Sequence, residues 1–207
     1  MDFETLLHAP ATLALLVTNI VVSIAAFSNE RLVDAMMFDV GKMRRRNEWH
    51  RMITSGFIHA DATHLFFNML SLYFLGPFVE RIMGTWTFLG VYMACLIAGS
   101  LWSFMDHFRD MNYRALGASG AVSGITTAAA MFAPLATILA FFILPMPLIV
   151  FALLYIGFSA WASRNARDGI GHSAHLGGAL MGIALVCIFW PEAVRSTYEQ
   201  FANLFRR

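Results

Sequence analysis

The segment ALGASGAVSG, from Ala115 to Gly124, consists almost entirely of small residues and places Ser119 between Gly117 and Gly120. A serine in such a turn becomes a nucleophile when a base lies within hydrogen-bond reach of its hydroxyl. The two glycines permit a tight turn and let a substrate backbone approach closely. The same small residues can instead form a smooth surface on which a second helix packs. The other polar residues in the apolar segments must decide between these interpretations.

Four further polar side chains are candidates to act with Ser119. His175 is the best candidate for the base, and no acidic residue is placed to complete a triad, so we predict a Ser–His dyad. His64 and Asn68, spaced i and i+4, share one helix face and can both donate hydrogen bonds to an oxyanion. A structural role within a helix bundle is the alternative for each. His172 and His175 could bind a metal, but no H-E-x-x-H pattern includes them, so we expect neither a metal nor a cofactor.

Membrane-spanning helices must position these residues. The chain has 207 residues, of which 58% are hydrophobic and 13% charged, against about 25% charged in an ordinary soluble domain. No charged residue occurs between positions 115 and 163. We therefore predict an all-α, polytopic membrane helix bundle with six transmembrane helices in one domain, residues 1–207. The predicted spans are residues 11–27, 64–84, 86–105, 118–134, 147–163 and 172–190, with 135–147 as an apolar loop on the membrane surface.

The order of the spans brings the candidate residues to one side of the membrane. The second, fourth and sixth spans cross in the same direction, and each carries its candidates at its N-terminal end. The fourth, counted from Ser119 to Ala133, has 15 residues and covers about 22 Å of a hydrocarbon core that is about 30 Å thick. Ser119 is therefore expected to lie below the membrane surface, where the first N–H groups of its helix can stabilise an oxyanion.

Glycines predict how two of these helices pack. Gly178 and Gly182 follow His175 at small-xxx-small spacing, and Gly120 and Gly124 follow Ser119 in the same way. Faces of this kind let two helix backbones approach closely. Packing of the fourth helix on the sixth would bring the serine to the histidine.

From Trp49 to Gly182 the sequence resembles the rhomboid intramembrane serine proteases of the minimal six-helix kind. GASG resembles the family's G-x-S-G, AHLGGALMG resembles its A-H-x-x-G-x-x-x-G, and HLFFN resembles its H-x-x-x-N. The resemblance implies that Ser119 is the nucleophile and His175 the base. It also implies an oxyanion hole formed by side chains of the HLFFN motif, His64 and Asn68, with the backbone amide of Ser119. EWHR resembles the Trp–Arg element of the family's large first loop, in which Trp49 and Arg51 would be structural.

Two features depart from the family pattern. Many rhomboids have a tyrosine four residues after the nucleophile, stacked on the catalytic histidine, whereas this chain has Ser123. The base would then be held more loosely or be supported by another aromatic residue. The second departure is charge: ten of the 14 Lys and Arg residues fall on the side of the first, third and fifth loops. A positive-inside count places the termini outside, whereas the resemblance implies cytoplasmic termini, which we adopt.

The resemblance implies an endopeptidase that cleaves single-pass transmembrane proteins in the lipid bilayer, near the outer end of their helices. Two other functions remain open: a catalytically inactive relative that binds membrane proteins, and a metal or solute transporter that uses the intramembrane histidines. No basic cluster interleaved with aromatic residues indicates nucleic-acid binding. The N-terminus has no basic leader, so we expect a retained first span and a bacterial cytoplasmic membrane.

Two smaller predictions concern the membrane interface. Phe67, Phe151 and Tyr155 could form an aromatic lateral gate for substrates, although packing against lipid is the alternative for each. Glu80 and Arg81 are expected to form an ion pair at the interface.

Overall fold

The computed structural model describes residues 3–140, 143–165 and 170–204, and within these ranges the protein is mostly helical. Two short antiparallel strand pairs accompany the helices: β1 (Phe38–Asp39) with β2 (Arg114–Ala115), and β3 (Thr137–Ala140) with β4 (Leu144–Pro147). The α-helices in chain order are α1 (Phe3–Leu7), α2 (Pro10–Phe27), α3 (Glu30–Met36), α4 (Val40–Arg46), α5 (Arg51–Thr54), α6 (Ala62–Met83), α7 (Thr85–Asp106), α8 (Ser119–Phe132), α9 (Leu148–Asn165), α10 (His172–Phe189) and α11 (Pro191–Leu204).

Five helices in the described ranges, α2, α6, α7, α9 and α10, are long and apolar enough to cross a membrane. The chain is therefore a multi-pass helical membrane protein. Helix α8 is equally apolar but has 14 residues, which cover about 21 Å at 1.5 Å per residue. The ends of these six helices lie within two residues of the spans predicted from hydropathy.

Helix α8 lies at the centre of the bundle, in contact with α6, α7, α9 and α10. Every residue from 120 to 130 is buried, which its small Gly, Ala, Ser and Thr side chains permit. Helix α10 crosses it at glycines: a Cβ added to Gly178 would overlap the carbonyl oxygen of Gly120, and one added to Gly182 would overlap that of Gly124. The predicted packing of the fourth span on the sixth is thus present, and it brings backbone against backbone.

The segment between α2 and α6 folds onto the N-terminal end of α8. Buried Arg51 donates to the carbonyl oxygens of Asp34 and Met37, both at 2.7 Å, and pairs with Glu48. Strand β1 pairs with β2, which leads directly into the GASG turn, and the Arg114 side chain donates to Asp39 across this pair at 3.0 Å. The large first loop therefore positions the chain just before Ser119.

The structure corrects the prediction of an apolar loop at 135–147. This segment contains β3 and β4, an antiparallel pair in register from Thr137 opposite Pro147 to Ala140 opposite Leu144. Phe141 and Phe142 of the same segment lie outside the described residues. Pairing gives backbone N–H and C=O groups of this apolar segment hydrogen-bond partners within the chain, and Thr137 and Ile138 are β-branched residues of the kind that favours strands.

Glu80 turns inward instead of forming the predicted interfacial pair with Arg81. Its carboxylate is buried and accepts hydrogen bonds from the backbone N–H groups of Ala11 and Thr12, at 3.0 and 2.8 Å, and from the Thr12 hydroxyl at 2.8 Å. These donors belong to the first turn of α2, which has no intrahelical acceptors for them. A side chain of α6 thus caps α2 within the membrane domain, while Arg81 is exposed.

Candidate active site

Ser119 is the first residue of α8 and is partly exposed, whereas the residues that follow it are buried. Gly117, two residues earlier, has φ 120° and donates its N–H to Ser55 O at 2.9 Å. A Cβ at Gly117 would lie 2.5 Å from His64 Cε1. Both the backbone conformation and the close ring therefore require glycine at this position. The turn exposes one serine hydroxyl at the entrance of an otherwise enclosed helix.

His175 lies in the first turn of α10, which begins at His172, and its N–H bonds to Gly171 O at 3.2 Å. A Cβ added to Gly120, the residue after Ser119, would lie 3.3 Å from the carbonyl oxygen of Ala174, the residue before His175. The structure therefore brings these two residues to the same level of adjacent helices. Ala174, next to His175, lines a cavity of about 30 Å³ together with Ser119, enough volume for a water molecule.

His64 lies in the first turn of α6, which Asp61 caps by accepting the His64 N–H at 2.8 Å. The cap holds the His64 ring against Gly117, and so beside the Ser119 turn. Asn68, one turn later, is buried, and its Nδ2 donates to His64 O at 2.9 Å. The His64 ring therefore contacts the turn before Ser119, whereas the hydrogen bond of Asn68 stays within its own helix.

His59 is a site contact that sequence analysis missed. Its Nε2 accepts the N–H of Ala118, the residue before the serine, at 3.3 Å. The proton is therefore on Nδ1, which donates to Ser23 Oγ at 2.8 Å, and Ser23 donates to Phe57 O at 3.2 Å. The ring also meets His64 edge-on, with centroids 5.0 Å apart. Burial lowers the pKa of His59 to about 3, so the ring is neutral at physiological pH. The sequence signal was weak: a loop histidine five residues before His64.

Two rings contact His175. Tyr155 from α9 stacks on it, with centroids 5.8 Å apart and planes at 25°, and His172 meets it edge-on at 5.7 Å. Because Ser123 stands where many rhomboids have a tyrosine, we expect His175 to be held loosely or to be supported by another aromatic residue. The second arrangement is the one observed, with Tyr155 as the aromatic residue. His172 is buried and also contacts Phe158. In the part of the chain that the structure describes, no three His, Cys, Asp or Glu side chains converge as metal ligands would.

The predicted gate residues divide into two groups. Phe151 and Tyr155 stack on each other at 6.1 Å along α9, whereas Phe67 packs edge-on against Phe66 and is half exposed. The aromatic contacts on α9 are thus directed toward the candidate site.

A known family matches most of this sequence. The family described as Rhomboid domain matches residues 46–192, which include every candidate site residue. The chain belongs to the rhomboid family.

Rhomboid relatives occur in bacteria and in organelles. RHOMBOID-like protein 12, mitochondrial, of Arabidopsis thaliana is 31% identical over 165 residues, which cover 72% of this chain and 48% of the relative. Rhomboid protease GluP of Bacillus subtilis is 33% identical over 150 residues, covering 72% and 28%. Rhomboid protease AarA of Providencia stuartii is 27% identical over 168 residues, covering 72% and 59%. The chain thus spans less than two thirds of the length of each of these relatives.

Proposed function

We propose that this rhomboid is an intramembrane serine endopeptidase whose catalytic groups are Ser119 and His175, acting without metal or cofactor. One observation carries the proposal: α8 begins at a partly exposed serine, and α10 packs on it so closely that a Cβ on Gly120 would lie 3.3 Å from the carbonyl oxygen of Ala174, the residue before His175. A nucleophile and a base on adjacent rigid helices are the minimum requirement for covalent acyl transfer.

His175 acts first as a base and then as an acid. It takes the proton from Ser119 Oγ while the oxygen attacks the scissile carbonyl carbon, forming a tetrahedral oxyanion. When the C–N bond breaks, His175 gives this proton to the leaving amine, and the N-terminal part of the substrate remains as an ester on Ser119. A water molecule, deprotonated by His175, then hydrolyses the ester and restores the serine hydroxyl.

Three groups serve the oxyanion. The N–H of Ser119 is at the first position of α8, where a helix has no intrahelical acceptor and the positive end of its dipole favours negative charge. The His64 ring, from α6, lies against Gly117 in the turn that precedes Ser119. Asn68 has two amide hydrogens, one of which donates to His64 O; the other is the donor in this proposal. Donors directed at the developing charge stabilise the transition state more than the ground state.

The substrates in this proposal are single-pass transmembrane proteins that reach the site from the lipid. Their helices must unwind locally, because a helical backbone holds its carbonyl oxygens in hydrogen bonds. Residues 1–207 form one membrane domain with six crossings, of which α8 is the fourth. The termini are cytoplasmic, the N-terminal ends of α6, α8 and α10 face outward, and the membrane is the bacterial cytoplasmic membrane.

Fluorophosphonate labelling of purified protein, with cleavage of a single-pass substrate in proteoliposomes, tests the proposal. Wild type is expected to be labelled and active, while Ser119→Ala and His175→Ala lose both properties. Ser163→Ala and His50→Ala are matched controls, because Ser163 bonds only locally to Ala160 O and His50 is exposed. Undiminished cleavage by Ser119→Ala would overturn the proposal. A folded wild type that is neither labelled nor active would favour a binding protein instead.

A further inference from the structure

A column of rings on α9 ends on the proposed base. Phe151 stacks on Tyr155 at 6.1 Å with planes at 15°, and Tyr155 stacks on His175 at 5.8 Å with planes at 25°. Position 123, one turn after Ser119, is a serine, so this position of α8 offers no ring to the base. An aromatic face in contact with an imidazole limits its rotation. The orientation of the His175 ring therefore depends on where α9 holds Tyr155.

The Tyr155 hydroxyl is attached to the nucleophile's own turn. Ser123 Oγ lies 2.5 Å from Ser119 O, to which it donates, and 2.6 Å from the Tyr155 hydroxyl. A serine hydroxyl has one hydrogen, and since Ser123 gives it to Ser119 O, Tyr155 is the donor in the second bond. The middle of the chain Tyr155–Ser123–Ser119 is shielded from solvent, because Ser123 is only 2% exposed.

Helix α9 is the least buried of the long spans in the described ranges, and near the site its Phe158 ring contacts His172. Only 22% of its span is buried, against 33% to 50% in the other four long spans. Its buried residues are Leu148, Ala152, Ser159 and Ala162, none of which contributes a ring or a long side chain to the centre of the bundle. The hydrogen bond from Tyr155 to Ser123 is therefore a specific attachment of this lightly buried helix to a buried residue of α8.

We propose that Tyr155 is the positioning residue for His175 and that the Ser123 hydroxyl anchors it, so that the dyad is aligned only while α9 is docked on α8. This inference rests on the proposed function and refines it. It assigns a role to a hydroxyl pair 32 residues apart in sequence. It also makes the position of α9 a condition for catalysis.

The test measures kcat and KM for a transmembrane substrate in proteoliposomes, and the rate of fluorophosphonate labelling. Because misplacement of a catalytic group by about 1 Å can cost about 100-fold in rate, Tyr155→Leu is expected to lower kcat by roughly 10- to 100-fold with KM changed by less than about threefold. Tyr155→Phe and Ser123→Ala remove the same hydrogen bond, so each is expected to lower kcat by about 3- to 10-fold, and the double variant no further.

Trp161→Leu and Tyr198→Phe are the matched controls. Trp161 is an exposed ring on the same helix, and Tyr198 is an exposed tyrosine on α11, so wild-type rates are expected for both. Thermal unfolding of each variant identifies any loss of folding. Should Tyr155→Leu fail to fold, Tyr155→Phe, which keeps the ring, still decides the question through the double variant.

Two results would overturn the inference: a wild-type kcat for Tyr155→Leu, or additive losses in the double variant. The proposed function fails in a different way. If Ser119→Ala still cleaves substrate, the dyad itself is wrong. If wild type is labelled, Ser119→Ala is inactive and Tyr155→Leu is as active as wild type, the dyad stands and only the role of Tyr155 is refuted.

Discussion

Gly178→Ala should separate α10 from α8 at the candidate site. The added Cβ would overlap the carbonyl oxygen of Gly120 and lie 2.6 Å from its carbonyl carbon, where ordinary contact begins at 3.4 Å. The opposing atoms are backbone, so no flexible side chain can yield, and α10 must retreat by about 0.8 Å or more. A displacement near 1 Å of a catalytic group costs about 100-fold, so we expect substrate cleavage to fall by roughly 10- to 100-fold. Overpacking should also destabilise the protein by about 1–3 kcal/mol.

The assay compares Gly178→Ala with two glycine variants in open positions. A Cβ at Gly90 on α7 or at Gly157 on α9 meets no atom within 4 Å, so alanine should be tolerated there. Each variant is purified in detergent and assayed for thermal unfolding, for fluorophosphonate labelling and for substrate cleavage. The close-packing argument predicts a loss for Gly178→Ala alone.

Wild-type cleavage and an unchanged unfolding midpoint for Gly178→Ala would refute this reasoning. That result would mean that α8 and α10 are not in backbone contact, and the geometric basis for pairing Ser119 with His175 would be lost. A loss of stability with undiminished cleavage would show that the contact exists but does not set the position of His175.

Two further predictions concern buried polar groups outside the dyad. Glu80→Gln replaces one acceptor of the α2 cap with a donor, so the free energy of unfolding in detergent should fall by about 1–3 kcal/mol. The control Arg81→Gln should leave the unfolding midpoint unchanged. Equal midpoints for the two variants would show that the cap contributes nothing to stability. Because the pKa of His59 falls from 6.5 to about 3 on folding, the unfolded chain binds a proton between these values that the folded chain does not, and stability drops as the pH falls through this window. His59→Gln should therefore make the unfolding midpoint less sensitive to pH between 7 and 4, and an unchanged slope would contradict the buried position of the ring.

The sequence by itself predicted the apolar helices of the bundle to within two residues at each end. A helix needs about 20 apolar residues to cross the hydrocarbon core, because every residue in a span must tolerate lipid or a neighbouring helix. Runs of this length are therefore visible in the sequence. Because the second, fourth and sixth spans are predicted to cross in the same direction, the sequence also predicts that His64, Ser119 and His175 lie at equivalent ends of their helices. The glycine spacing on two spans predicted the contact of α8 with α10, because small residues are what close backbone packing requires.

Only the tertiary structure decided which side chains meet. The partners of Ala118, Tyr155 and Glu80 lie 59, 32 and 69 residues away in sequence. Hydropathy reports how well a segment suits lipid, but it does not report the rotation of a helix about its axis, which determines what each polar side chain faces. Glu80 illustrates the difference: its neighbour Arg81 suggested a surface ion pair, yet the helix turns Glu80 inward to cap α2. Buried polar groups must find partners, and packing of the whole bundle selects them.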